Sequence, residues 1–228
     1  MTDISKCACD HDLLLKQLIH GISESDYYYP CKNVLADQFA LDGVQNGCIH
    51  CIAIVAFAKF KSVGDEHAKD DERIRESIEK IYKCSSSGSP FALFIVGMLF
   101  LEPTHIDKSN RRDPFSTETL RLEQDYGNKF ETDPIDYHHF LKFVYNIVHF
   151  HVHPNDINGA KEFFHKAKEA GLQCGLVEYQ LGVLADSESQ YVIAYQLFCT
   201  SSHLGNEHAH KMRDDLLMRY GEWIKDVD

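Results

Sequence analysis

The chain has 228 residues, of which 44% are hydrophobic and 25% charged, a composition ordinary for a globular protein that buries a full core. Asp and Glu number 35 against 23 for Lys and Arg, so the formal net charge is -12. This charge argues against a nucleic acid or an anionic membrane as a partner, because both are bound through basic patches.

The first residues and the apolar runs indicate neither an export signal nor a membrane span. Residues 1–15 carry three aspartates and one lysine around a short apolar core, whereas a secretory signal needs a basic start and a longer apolar stretch. The strongest apolar run, residues 91–101, has eleven residues, and a membrane span needs about twenty. We therefore expect a cytoplasmic protein with eight reduced cysteines, although export by a leaderless route would leave no such signal.

Apolar spacing and turn residues predict helices along the first half of the chain. The five predicted helices cover residues 10–20, 33–44, 48–61, 71–83 and 90–101. A turn-rich segment with Tyr27, Tyr28 and Tyr29 separates the first two. Residues 102–117 then form a long polar loop, and loops of this length inside a compact array are commonly functional or disordered.

Capping signals predict where the helices of the second half begin. Asp133 and Pro134 suit the N-cap and first position of a helix over residues 134–151, which is rich in aromatics and histidines. Asp156 can cap the next helix, which carries Phe163 and Phe164. The final helix, residues 206–225, is more polar, as expected of a terminal unit with one face in water.

A spaced set of small and bulky residues recurs along the chain and ends each time at a glycine. The two clearest copies, displaced by thirty-four residues, are Ala160, Phe163, Phe164, Ala167 and Gly171, and Ala194, Leu197, Phe198, Ser201 and Gly205. Further copies end at Gly47, Gly88 and Gly127. Residues spaced by three and four lie on one helix face, and a glycine accepts the left-handed conformation that closes a helix. The pattern predicts helical hairpins that stack on one another.

Three segments resemble the Sel1-like repeat, a relative of the tetratricopeptide repeat with an A-x-x-x-L-G-x-L core. Residues 177–184 read VEYQLGVL, residues 91–100 read FALFIVGMLF, and residues 47–56 place Cys51 and Ala56 in the two small positions. The resemblance implies an all-α fold, a right-handed α-solenoid. It also implies one domain over residues 1–228, with an N-terminal capping helix and loop to residue 32, repeats over 33–204 and a C-terminal capping helix from 205.

The same resemblance implies a protein-binding adaptor with no chemistry and no cofactor of its own. Polar and aromatic residues between core positions would read the partner in the groove of the array, and the net charge favours a partner with a basic surface. The candidate partner-binding residues are Tyr137, His138, Lys142, Tyr145, Glu178 and Gln180.

Cysteines and histidines offer an alternative function, that of a zinc-binding regulatory protein. The candidate metal ligands are Cys7, Cys9, Cys48 and Cys51, in a Cys-x-Cys-x-His pattern that ends at His11 and a Cys-x-x-Cys pattern that contains His50. The sequence favours structural cysteines, because Cys51 occupies a small position of the repeat and no second Cys-x-x-Cys appears.

Two further alternatives also come from cysteines and histidines. On a helix, His149 and His153 share a face while His151 points away, so this pair alone could bind a metal, although a solvated helix end is the preferred interpretation. An enzyme on a helical scaffold is the remaining alternative. No phosphate-binding loop or nucleophile motif supports it.

Overall fold

The computed structural model describes residues 10–22, 33–62, 72–101 and 157–224, and these residues form helices and short turns without a β-strand. The described helices of eight or more residues are α1 (His11–Ile22), α2 (Gln38–Gln45), α3 (Ile49–Ser62), α4 (Glu72–Ser86), α5 (Pro90–Leu101), α6 (Ile157–Glu169), α7 (Leu176–Ser187), α8 (Tyr191–His203) and α9 (Glu207–Ile224). The predicted all-α class is confirmed for this part of the chain.

Aspartates set the starts of the first two helices. Asp10 accepts a hydrogen bond from the Leu13 amide at 3.0 Å, and Asp37 accepts one from the Ala40 amide at 2.8 Å. Both are N-caps of the usual kind. Asp37 has an extended backbone, so it ends the helical turn at 33–36 and starts α2. The single helix predicted over residues 33–44 is therefore wrong, because the Asp37 side chain competes for the amides that a continuous helix would use.

Glycines end four of the helices with one shared hydrogen-bond pattern. Gly47, Gly88, Gly171 and Gly205 all have positive φ, between 77° and 102°. At each of them the glycine amide donates to the carbonyl three residues earlier, and the following amide donates to the carbonyl five residues before itself. This is the Schellman turn, and the predicted helix-ending role of these glycines is confirmed. Ser189 makes the same turn between α7 and α8, with φ 61°.

Each helix from α2 to α9 packs against the helix that precedes or follows it in the described chain. The glycine turns join α2 to α3, α4 to α5, α6 to α7 and α8 to α9, so these pairs form four hairpins within the described residues. Contacts between one hairpin and the next are also extensive, from α3 to α4, from α5 to α6 and from α7 to α8. In addition, α3 packs directly against α5.

Two phenylalanines fill equivalent gaps between consecutive hairpins. Phe164 of α6 lies over Gly97 of α5, and a Cβ added to Gly97 would stand 2.6 Å from its ring. Phe198 of α8 lies over Gly182 of α7 in the same way, with a corresponding distance of 2.8 Å. Both phenylalanines are fully buried. Because neither glycine has a side chain, the two helix axes can approach and the ring occupies the space.

Helix α1 lies along the edge where the hairpin turns are found. Its apolar face is buried through Leu14, Leu15 and Leu18. At its start His11 reaches the first turn of α3, and the Lys16 ammonium donates to the Gly205 carbonyl at 3.1 Å, in the turn before α9. Since these contacts join the first and the last hairpins, α1 spans the described stack rather than covering only its first member.

None of the described helices combines the length and the apolar character needed to cross a membrane. The longest of them, α9, has 18 residues and is amphipathic. The most apolar one, α5, has only 12 residues and is buried on nearly all sides, with Phe94, Ile95 and Leu99 at 1% exposure or less. Its uniform apolar character is therefore explained by packing between α3, α4 and α6.

Candidate functional site

A groove runs between the first two hairpins. Helix α3 forms its floor, α2 one side and α4 the other, and they enclose a cavity of about 330 Å³, within the range of small ligand sites. The apolar and thiol side chains that line it are Val44, Ile49, Ile52, Val55, Ala56 and Cys84. Along α3 the lining extends from Ile49 to Lys59, which corresponds to about 15 Å of helix.

The charged residues among the described lining are all lysines. Lys59 comes from α3, and Lys80 and Lys83 come from α4; Ser87, in the turn after α4, also lines the cavity. Lys80 forms an exposed ion pair with Glu76 at 3.5 Å. No Asp or Glu lines the cavity within the described residues, so the groove is apolar at its base and positive at its rim.

A second cluster lies where α1 meets the first turn of α3. The Nε2 atom of His11 is 3.4 Å from the Cys48 sulfur and 3.3 Å from the Cys51 sulfur. The potential ligand atoms of these three residues all lie within 4.8 Å of one another. Cys51 is fully buried, and His11 and Cys48 are half-buried. Cys48 follows the Gly47 turn directly, and Cys51 lies one helical turn later on the same face of α3.

Aromatic rings close the inner side of this cluster. The ring of His50 meets that of His11 edge-on, with centroids 5.1 Å apart, and Phe91 lies within 5.4 Å of both rings. His50 Nδ1 is 2.8 Å from the hydroxyl oxygen of Ser89, which also accepts the Ala92 amide at the start of α5. The first and second hairpins therefore meet at this wall.

Burial keeps both imidazoles in the neutral form. Burial, with a smaller contribution from the neighbouring His11, lowers the pKa of His50 from 6.5 to about 4. Burial also lowers the pKa of His11, although Asp12 and Asp10 act in the opposite direction. A neutral imidazole has one free lone pair, so His11 can act as a hydrogen-bond acceptor or as a metal ligand at neutral pH.

The predicted partner-binding residues fall into two groups. Tyr137, His138, Lys142 and Tyr145 lie outside the described residues. Glu178 and Gln180 of α7 are buried, at 2% and 8% exposure. Glu178 pairs with Lys168 at 2.8 Å, and its second carboxylate oxygen has no hydrogen-bond partner. A partner would have to displace what covers these two side chains, and their role in binding stays a prediction.

The candidate metal ligands are also divided by the described range. Cys48 and Cys51 converge as the Cys-x-x-Cys spacing suggests, whereas Cys7 and Cys9 lie outside the described residues, as do the histidines at 149, 151 and 153. His11, rather than the adjacent His50, is the histidine that approaches both sulfurs. The Cys-x-Cys-x-His pattern was the only sequence signal for a role of His11, because the path of α1 across the hairpin turns depends on contacts between distant segments.

No family model, curated protein or solved structure matches the chain. The resemblance to the Sel1-like repeat therefore stays a prediction that is carried by residues 47–56, 91–100 and 177–184.

Proposed function

We propose that the protein is a non-enzymatic adaptor, an α-solenoid of stacked helical hairpins that holds a short segment of a partner protein in the groove over α3. The observation that carries the proposal is the lining of this groove, apolar at the base with Lys59, Lys80 and Lys83 at the rim. An extended segment of about five residues matches its length of about 15 Å.

The recurrence of one hairpin design supports the solenoid part of the proposal. Five turns share the Schellman pattern, and Phe164 and Phe198 occupy the same position against Gly97 and Gly182. An aromatic residue three positions before each glycine packs on the corresponding phenylalanine. The ring centroids are 5.2 Å apart for Phe94 and Phe164 and 5.8 Å apart for Tyr179 and Phe198. Helical repeats commonly bind protein segments in the grooves between their units.

The rim of the groove selects the chemistry of the segment. Its lysines favour an aspartate or glutamate beside the apolar side chain that enters the cavity. The net charge of -12 acts differently, because it favours the approach of a partner that is basic overall. Charges are screened beyond about 8 Å at physiological salt. The groove therefore decides what is bound, and the net charge affects how fast the partner arrives.

Selection from a random peptide library tests this function. We expect peptides enriched on the intact protein to share an aliphatic or aromatic residue next to an acidic one. A selected peptide should bind the double variant Lys59→Glu/Lys83→Glu about tenfold more weakly or worse, because two attractive charges become repulsive. Ile52→Trp, which fills the half-buried floor of the cavity, should also block binding. Fluorescence anisotropy of the labelled peptide measures both effects.

Lys211→Glu is the matched control, since Lys211 is exposed on α9 and outside the groove lining. It makes the same Lys→Glu exchange once, half of the total charge change of the double variant, and should leave binding within about twofold of the intact protein. Selection of basic peptides, or equal binding to the intact protein and the Lys59→Glu/Lys83→Glu variant, would reject the groove as the binding site.

A further inference from the structure

We propose that His11, Cys48 and Cys51 form a zinc site that fastens α1 to the first hairpin. The proposal is independent of the groove and of any partner, because the three residues lie at the turn between α2 and α3 and at the start of α1. It differs from the preference that the sequence alone suggested, in which the cysteines are only small core residues.

The spacing of the ligand atoms matches tetrahedral zinc. Zinc binds thiolates at about 2.3 Å and imidazole nitrogen at about 2.0–2.1 Å, which places a sulfur and a nitrogen on the same ion about 3.6 Å apart. The two nitrogen–sulfur distances from His11 are 3.4 and 3.3 Å. The two sulfurs lie within 4.8 Å of each other and would be about 3.8 Å apart on one tetrahedral ion, so side-chain shifts of about 1 Å or less bring the three atoms around an ion.

The identity of the ligands selects the metal. Two thiolates and one imidazole suit zinc, whereas calcium and magnesium require oxygen ligands. Cys48 immediately precedes α3 and Cys51 lies in its first turn, where the positive end of the helix dipole favours the negative charge that two thiolates bring. For Nε2 to bind zinc, the His11 proton must lie on Nδ1.

The path of α1 gives the ion a structural role. The apolar face of α1 packs on the hairpins through Leu14, Leu15 and Leu18, and Lys16 holds its middle at the Gly205 carbonyl. Its first residue, His11, has the two sulfurs as its hydrogen-bonding neighbours at this end. Zinc would replace two weak contacts to sulfur by metal–ligand bonds, so it would fix the start of α1.

Metal analysis of the purified protein tests the proposal. We expect about one zinc per chain in the intact protein, and less than about a tenth of that in Cys48→Ser, Cys51→Ser or His11→Ala. Cys199→Ser is the matched control, because Cys199 is a half-buried free thiol on α8, away from the cluster. It should retain the full zinc content.

Cobalt substitution keeps the test independent of how the variants fold. Intact protein stripped of metal and loaded with Co²⁺ should show thiolate-to-cobalt charge-transfer absorption and the strong visible bands of a tetrahedral site. X-ray absorption of the zinc form should report sulfur and nitrogen ligands, with at least two sulfurs. The proposal is overturned if the intact protein binds neither metal in stoichiometric amount, or if Cys48→Ser and Cys51→Ser bind as much zinc as it does.

Discussion

The ring of Phe198 occupies the space that a side chain at Gly182 would need. A Cβ built on Gly182 would lie 2.8 Å from Cε1, 2.9 Å from Cδ1 and 3.1 Å from Cζ of that ring. Phe198, on the face of α8 that packs against α7, is fully buried. This glycine is therefore needed for the packing of its helix against the next one rather than for a turn, and Gly97 serves Phe164 in the same way.

Gly182→Ala should lower the free energy of unfolding by about 1–3 kcal/mol, because the added methyl overpacks a closed interface. Gly221→Ala is the control, since a Cβ at Gly221 meets nothing within 4 Å on α9. That substitution should be neutral or stabilising by up to about 1 kcal/mol, because alanine favours a helix. Urea unfolding measures both. Equal stability of the two variants would show that the Phe198 contact is loose.

The glycine turns predict a purely conformational effect. Gly88 has φ 81° and open space where a Cβ would be, so Gly88→Ala meets no steric neighbour. It should still destabilise the protein by about 1–2 kcal/mol, because a left-handed conformation is unfavourable for any residue with a Cβ. Ser189 takes this conformation with φ 61° although it has a Cβ. Ser189→Gly removes that steric cost and should therefore raise the thermal midpoint. A gain of stability in Gly88→Ala would contradict the turn assignment.

Two ion pairs of similar length should differ in their contribution to stability. Lys168 is the partner of the buried Glu178 at 2.8 Å, whereas Lys161 pairs at 2.7 Å with Glu188, which is 29% exposed. Lys168→Met should lower the free energy of unfolding by about 1–2 kcal/mol, because it leaves a buried carboxylate without its counterion. Lys161→Met should change it by less than about 1 kcal/mol, since water solvates Glu188. Chemical denaturation of the two variants, measured side by side, shows whether burial of the carboxylate or the ion pair itself determines the loss of stability. Equal losses in the two variants would contradict the role of burial.

The Cys174 thiol should be unreactive and should make stability depend on alkaline pH. Burial raises its pKa from 9.0 to about 11, while the Asp12 carboxylate acts in the same direction and Lys16 against it. The folded protein holds the thiol proton more tightly than the unfolded chain. The free energy of unfolding is therefore unaffected by this group below pH 9.0 and falls as pH rises from 9.0 to about 11, where the unfolded chain has lost the proton and the folded protein still keeps it. Cys174→Ala should flatten this decline.

Alkylation checks the same thiol at about pH 8, where thiolate is the reactive form. Mass spectrometry should find Cys174 unlabelled in the native protein and labelled once it is unfolded, whereas the half-buried Cys199 should already react in the native protein. Equal labelling rates for Cys174 and Cys199 in the native state would contradict the burial of Cys174.

Local patterns predicted the helices well and long-range geometry poorly. Gly47, Gly88, Gly171 and Gly205 marked four helix ends, because only glycine takes the left-handed conformation without strain. The turn at Ser189 has the same left-handed conformation, but the sequence does not reveal it, because serine is not a residue typical of that conformation. The Asp37 interruption depends on one side-chain hydrogen bond, which the apolar spacing of residues 33–44 does not reveal.

The two candidate sites depend on contacts between distant segments, so the sequence could not place them. The lysines of the groove come from two helices, and their common rim appears only when α3 and α4 pack together. The approach of His11 to Cys48 depends on the path of α1 across the turns, a separation of 37 residues along the chain. The sequence offered cysteine and histidine as candidate ligand types and left open which of them meet.

Isoleucine methyl NMR with a selected acidic–apolar peptide tests the proposed binding groove most directly. Ile49 and Ile52 line the cavity, while Ile193 is exposed on α8 at 49% and lies outside the groove lining. Saturating peptide should shift the methyl signals of Ile49 and Ile52 and leave that of Ile193 unchanged. A bound peptide that shifts Ile193 and leaves both groove isoleucines unmoved would contradict the proposed binding groove.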